Sequence, residues 1–215
     1  MFLKPMLARQ LARPHGLAGR LMRPALNRVN ARVNRAALDL LAPGPSDRLL
    51  DIGFGGGLLL EEALRRLPAG FVAGIEISQP MLDLARVRFA KESAAGRLEL
   101  KQGSVSAIPY ADASFDHVTA VNTLHFWPDP PAGLREVWRV LRPGRRLVVV
   151  LRPKEYLDRI RFTSHGFTAY DDGLLAEMLG RAGFGEVTVE HREDARMGMQ
   201  IALATRPGRD AAHAH

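Results

Sequence analysis

The sequence predicts an α/β fold: a three-layer sandwich on a seven-stranded, mostly parallel sheet with an antiparallel last strand, preceded by a helical N-terminal arm. Three observations predict it. Short apolar runs of strand length alternate with stretches of helical length from residue 48 to 205, the pattern of right-handed crossovers in a covered parallel sheet. The first run ends in an acid and a glycine turn, Asp51-Ile-Gly-Phe-Gly-Gly-Gly57, which brings bare backbone close to a ligand. The last two runs are joined by a connection too short for a helical crossover, so they pair antiparallel.

The elements follow in order. Leu26, Val29, Val33, Ala37 and Leu40/Leu41 recur at helical spacing, predicting an amphipathic helix over 25–41 that Ala42-Pro-Gly-Pro45 stops. Upstream, Pro5, Pro14, Gly16, Gly19 and Pro24 break the arm into short pieces that could form a lid. A strand over 48–52 precedes a helix over 57–67 and a strand over 71–76. Ser78 is placed as an N-cap, with Pro80 in the first turn, for a helix reaching 92. Strands over 98–102 and 115–121 follow. Pro130 and Pro131 open a helix to 141, and Pro143-Gly144 turn into a strand over 146–151. Asp171 or Asp172 caps a helix to 182, and strands cover 185–190 and 199–205. The domains expected are a basic arm or lid over 1–47, a ligand-binding domain over 48–206 and a disordered tail over 207–215.

Composition narrows the function. The 215 residues are 47% hydrophobic and 25% charged, suited to one globular domain. No apolar stretch spans a membrane and no secretory signal is visible. There is no cysteine, which removes disulfides, thiolate-bound zinc, iron–sulfur clusters and cysteine nucleophiles. These features together point to the cytoplasm. Residues 1–48 hold nine Lys or Arg against Asp39 and Asp47, while 49–215 balance at 21 of each sign. The basic arm is either a solvated helical face or a surface for anionic membrane, acidic substrate or nucleic acid.

The glycine turn has several claimants. A dinucleotide fingerprint beginning at Gly53 and Gly55 needs glycine at 58, where Leu58 stands. Asp51 would repel a pyrophosphate and suits a cation. In an open α/β sheet the ligand lies outside the carboxyl ends of the strands. Glu76 falls there, placed to accept both hydroxyls of a ribose. Gly103-Ser-Val105 and Asn122-Thr-Leu-His-Phe-Trp127 fall there too.

From Arg48 to Thr205 the chain resembles the class I S-adenosylmethionine-dependent methyltransferases, in the broad group that includes the ubiquinone/menaquinone-biosynthesis enzymes. The resemblance rests on Leu50–Gly57, Gly74-Ile-Glu-Ile-Ser78, Ile108–Asp116, Arg135–Gly144 and Ala182-Gly-Phe184, each on the expected element. It implies a Rossmann-like domain with S-adenosyl-L-methionine as cofactor. Asp51, Gly53, Gly55 and Gly57 would surround the methionine moiety, and Glu76 would hold the ribose. Ile77 would pack on the adenine, Ser104 and Val105 would meet its edge, and Asn122 would lie beneath the sulfonium. Two positions depart from the pattern: Ser104 stands where an acid is common, and Pro143-Gly-Arg145 lacks a second glycine.

Methyl transfer from a sulfonium needs alignment and a dry site more than a fixed catalytic dyad. No metal is expected. His125 is the candidate base, or else a packing residue beside Phe126 and Trp127. Asn30, Tyr110, His165 and Tyr170 are the candidate substrate contacts. With no cysteine nucleophile and no Pro-Pro-aromatic run after Asn122, nucleic acid is disfavoured as the acceptor. A small molecule is the expected acceptor. The alternatives are a lipid headgroup or quinone met at the membrane through the basic arm, RNA, or a cofactor-binding protein without catalysis. The sequence gives no reading of oligomeric state.

Overall fold

A computed structural model describes residues 30–160, 168–193 and 197–208. Its first element, α1, covers 30–41. Val33, Ala37, Leu38 and Leu41 of this helix are fully buried, in one core cluster with Leu49, Val148 and Val150. Ala42 ends the helix in a left-handed conformation, φ 45°. Arg146 donates to the carbonyls of Leu40 and Leu41, setting a cation on the negative end of the helix. Within the described residues, then, the predicted arm is packed into the body. Residues 1–29, with Leu26 and Val29 of the predicted helix, lie outside them.

The remaining elements are β1 (Arg48–Ile52), α2 (Leu58–Arg66), β2 (Phe71–Glu76), α3 (Gln79–Arg88), α4 (Ala90–Ala94), β3 (Leu98–Gln102) and β4 (Phe115–Val121). After a 3-10 turn at Leu124–Phe126 come α5 (Pro130–Val140), β5 (Leu141–Leu151), α6 (Lys154–Arg159), α7 (Asp172–Arg181), β6 (Gly185–Arg192) and β7 (Met199–Thr205). The sheet order is β3-β2-β1-β4-β5-β7-β6. The pairs from β3 through to β5 are parallel, and β7 runs antiparallel to both β5 and β6. The seven strands and the antiparallel last strand match the expectation.

Both faces of the sheet are apolar, as a covered parallel sheet requires. Leu50, Ile52, Val118, Ala120, Leu147 and Val149 face α5 and α7. The alternate positions Leu49, Val148 and Val150 share the other core cluster with α1, α2 and α3, following the period of two along each strand.

There are three local differences from the expected elements. The single helix expected over 78–92 is two, because Phe89 leaves helical geometry (φ −108°, ψ 24°). Its ring is buried against Gly57, where a Cβ would lie 2.6 Å from Phe89 Cε2. Next, β5 begins at Leu141: Pro143 and Gly144 (φ 75°) form an irregularity within it, the register moving from Phe115↔Leu141 to His117↔Arg146. Ser78 occupies the predicted N-cap, but its side chain makes no capping bond. The 3-10 turn and the six-residue α6 are additional elements. Asp171 is the cap of α7, accepting from Leu174 N–H at 2.8 Å. Among the described residues no helix is long and apolar enough to cross a membrane. The predicted tail lies outside them from residue 209 onward.

Candidate functional site

Strand order reverses between β1 and β4, so the carboxyl ends of β1, β2 and β4 flank a crevice. The glycine turn fills its base. Gly53, Gly55 and Gly57 have φ of 69°, 49° and 74°, the left-handed region that glycine adopts without strain. Gly53 has a second reason to be glycine, since a Cβ there would lie 2.9 Å from Thr123 Cγ2. Gly55 meets nothing within 4 Å and so presents backbone to open space.

Glu76, at the end of β2, is buried and holds this turn in place. Gly55 N–H donates to Oε2 at 3.0 Å, and Ser78 N–H donates to Oε1 at 2.9 Å. An ionised carboxylate has about four acceptor directions. Each oxygen therefore keeps capacity for a ligand hydroxyl, with its orientation already fixed.

Asp51 lies at the end of β1, paired across the strands with Thr119. Thr119 Oγ1 donates to Asp51 Oδ1 at 2.8 Å. Burial pushes the Asp51 pKa from 3.8 up to about 7; the Thr119 hydrogen bond opposes the rise and the charge of Glu76 adds to it. A positively charged ligand group beside it would favour the anion.

Ile77, the next residue after Glu76, is 67% exposed and offers an apolar platform beside the carboxylate. Asn122 ends β4 in the left-handed region, φ 55°, held by its N–H to Val150 O at 2.7 Å. Its Oδ1 is buried and has no hydrogen-bond partner among the described residues. Backbone outliers of this kind gather at functional sites. Ser104 Oγ accepts from Ser106 N–H at 3.2 Å. The Val105 side chain is buried, 3.1 Å from a Cβ built at Gly133, which leaves its backbone as the part a ligand could meet.

His125 is buried against Tyr170, the rings 5.9 Å apart and inclined by 30°. Its Nδ1 lies 2.6 Å from Thr168 O, and because a carbonyl only accepts, the proton is on Nδ1. Burial lowers the His125 pKa, against the Thr168 hydrogen bond, so the ring is held neutral. Tyr170 is itself buried, with its hydroxyl 3.5 Å from Leu124 O.

Tyr110 is not brought to the crevice. It packs edge-on at 5.0 Å against Phe115, the first residue of β4 and thus at the opposite end of the strand. Asn30 is half-buried where the description of α1 begins. His165 lies outside the described residues.

Several supporting residues were not singled out from the sequence. Thr119 orients Asp51, and Thr123 fits against Gly53. Phe54 occupies the space at Gly74, where a Cβ would lie 2.6 Å from its Cδ1. Arg88 donates to Gly56 O at 2.7 Å. Only Thr119 had a usable signal: a polar residue at an inward position of a buried strand.

Residues 50–149 match the family model described as "Methyltransferase domain". An uncharacterised methyltransferase of Bacillus subtilis is 29% identical over 59% of this chain and 67% of its own length. The ubiquinone/menaquinone biosynthesis C-methyltransferase of Geotalea daltonii is 34% identical over 54% of this chain and 50% of its own. A demethylmenaquinone methyltransferase of Deinococcus radiodurans is 39% identical over 55% of this chain and 48% of its own. The chain thus spans about half the length of these last two relatives. Among solved structures, the methyltransferase bound to its activator from Haloferax volcanii superposes with TM-score 0.75 at 19% identity, covering 90% of this chain and 98% of that one. The cyclase SpnF superposes with TM-score 0.70 at 20% identity, covering 87% and 94%. These likenesses show the fold.

Over residues 50–149 the chain thus matches a methyltransferase domain, on the fold shared with those solved structures. The ubiquinone/menaquinone-biosynthesis enzymes among these relatives are each matched over about half of their own length.

Proposed function

We propose that this chain transfers a methyl group from S-adenosyl-L-methionine to a small-molecule acceptor by in-line displacement, acting mainly through proximity and orientation. The observation that carries the reading is the Glu76 carboxylate, pinned by Gly55 and Ser78 N–H at the switch in strand order with acceptor capacity to spare. When bound, the cofactor supplies a methyl group on a sulfonium whose departure leaves a neutral thioether. The protein's share is then to bind, align and exclude water.

The residues fit those tasks. Gly53, Gly55 and Gly57 let the methionine moiety approach the backbone, with Asp51 as the nearby anion for its ammonium group. Glu76 would take the ribose hydroxyls and Ile77 would cover the adenine, while Ser104 and the Val105 backbone would meet its edge. Asn122 would serve beneath the sulfonium, its buried Oδ1 being without a hydrogen-bond partner among the described residues. His125, neutral and protonated on Nδ1, can accept a proton only at Nε2, and would serve an acceptor that must lose one. Asn30 and Tyr170 border the acceptor side.

Calorimetry with S-adenosylhomocysteine tests the pocket. Glu76→Ala should weaken binding by roughly 1–3 kcal/mol, the cost of losing hydrogen bonds to a charged group. Unchanged affinity would overturn the ribose assignment. A screen of metabolite extracts with isotopically labelled methyl donor would identify the acceptor.

A quinone or lipid headgroup at a membrane surface is the second reading, favoured by the names of the relatives and by the basic charge of residues 1–48. Co-sedimentation with anionic vesicles, with and without residues 1–24, tests it. Absence of binding by the full chain would remove the anchor.

A further inference from the structure

A cleft of about 350 Å³ lies between α6, the start of α7 and the β6–β7 pair, within the size range of small-molecule pockets. Its lining includes Glu155, Tyr170, Asp171, Asp172, His191 and Gln200. None of these takes part in the methyl-donor site, and only Tyr170 is also a candidate acceptor contact.

Gln200 is only 1% exposed. Its Nε2 donates to Asp172 Oδ1 at 2.7 Å, and since a carboxylate only accepts, that bond fixes which end of the amide is which. Oε1 is thus the other end, and it is buried with no hydrogen-bond partner among the described residues. A buried acceptor left unpaired carries its full desolvation penalty, so this carbonyl favours any donor that reaches it.

The surroundings select the donor. Asp172 also accepts from His191 Nε2 at 2.8 Å. Hydrogen bonds from Gln200 and then His191 hold its carboxyl below the usual range. Glu155 and Asp171 bring two more carboxylates to the lining, against Lys154, which is already bonded to Asp158. Among the described residues no group of His, Asp or Glu converges to hold a metal ion. An anionic cleft with an unpaired carbonyl matches an organic cation that donates hydrogen bonds. A second cleft, of about 380 Å³, shares Glu155 and His191 and adds Tyr156, Met197 and Met199 as an apolar patch for the rest of such a molecule, beside Arg159, Arg192 and Glu193.

We propose that this cleft binds a small molecule with a protonated amine, which donates to Asp172 and Gln200 Oε1 while its apolar body lies along Tyr156 and Met199. The test is calorimetry of the full chain with phenethylamine, phenylacetate and phenethyl alcohol, alongside S-adenosylhomocysteine. Phenethylamine should bind saturably at one site, about tenfold or more tighter than the other two, because only it forms charge-assisted hydrogen bonds here.

Asp172→Asn should weaken the amine about tenfold by removing the charge from that bond, and leave S-adenosylhomocysteine unchanged. Equal binding of all three compounds would overturn the proposal, as would no saturable binding, which would assign Oε1 to an ordered water. S-adenosylhomocysteine in the same series reports separately on the methyl-donor reading.

Discussion

In the proposed function, Asp51 would couple cofactor binding to pH. Its folded pKa lies above its unfolded value, at about 7 against 3.8, so without ligand it is mostly protonated below neutrality. An ammonium group placed beside it favours the anion and releases that proton. Affinity for S-adenosylhomocysteine should therefore rise with pH, by up to about tenfold per unit below pH 7 where one proton is released, and level off above it. Asp51→Asn should flatten the profile; a wild-type profile already flat between pH 5 and 8 would show the pairing to be wrong. The same shift acts on folding with the opposite trend. The ligand-free protein has this contribution to stability in full below about pH 4, and loses it as pH rises through about 7.

The two readings of His125 also separate at this scale. His125→Phe keeps an aromatic ring against Tyr170 but removes the base. If the ring takes a proton, kcat should fall on the order of 10²–10⁴-fold with little change in KM. If it only packs, kcat should stay near wild type.

At the scale of elements, the glycine turn and α1 make distinct predictions. Gly55→Ala introduces only the left-handed conformation and should cost about 1–2 kcal/mol. Gly57→Ala adds the clash with the Phe89 ring, for a total of about 2–4 kcal/mol. Urea unfolding should rank the two, and equal costs would mean that Phe89 yields freely. Arg146→Met leaves the last carbonyls of α1 without their cation and should cost about 1–2 kcal/mol. Most strand boundaries were legible in the sequence because short apolar runs bounded by turn residues have few other solutions, but the start of β5 at Leu141, against the expected 146, was not. Nor was the break at Phe89. It depends on a ring reaching Gly57, 32 residues away in sequence, and no local pattern records that distance.

For the whole molecule, α1 decides where the chain can be shortened. Val33, Leu38 and Leu41 are fully buried, each contributing roughly 1.5–3 kcal/mol if wholly removed from water. Deleting 1–41 removes them from a fold whose total stability is on the order of 5–15 kcal/mol. That shorter chain should be insoluble or only partly folded by circular dichroism.

By itself the sequence determined the alternation of strands and helices, the glycine turn, and acids at the ends of two strands. These depend on residue type and spacing within a few positions. The tertiary structure decided which of those residues meet. The strand order sets Thr119 opposite Asp51 and brings Glu76 onto the amide of Gly55, while Tyr110 goes to the far end of β4. It also assembled Asp172, His191 and Gln200 from α7, β6 and β7. Hydrogen bonds and charges act over a few ångströms of space. Only the folding of the sheet turns separations of 20 to 70 residues into such distances.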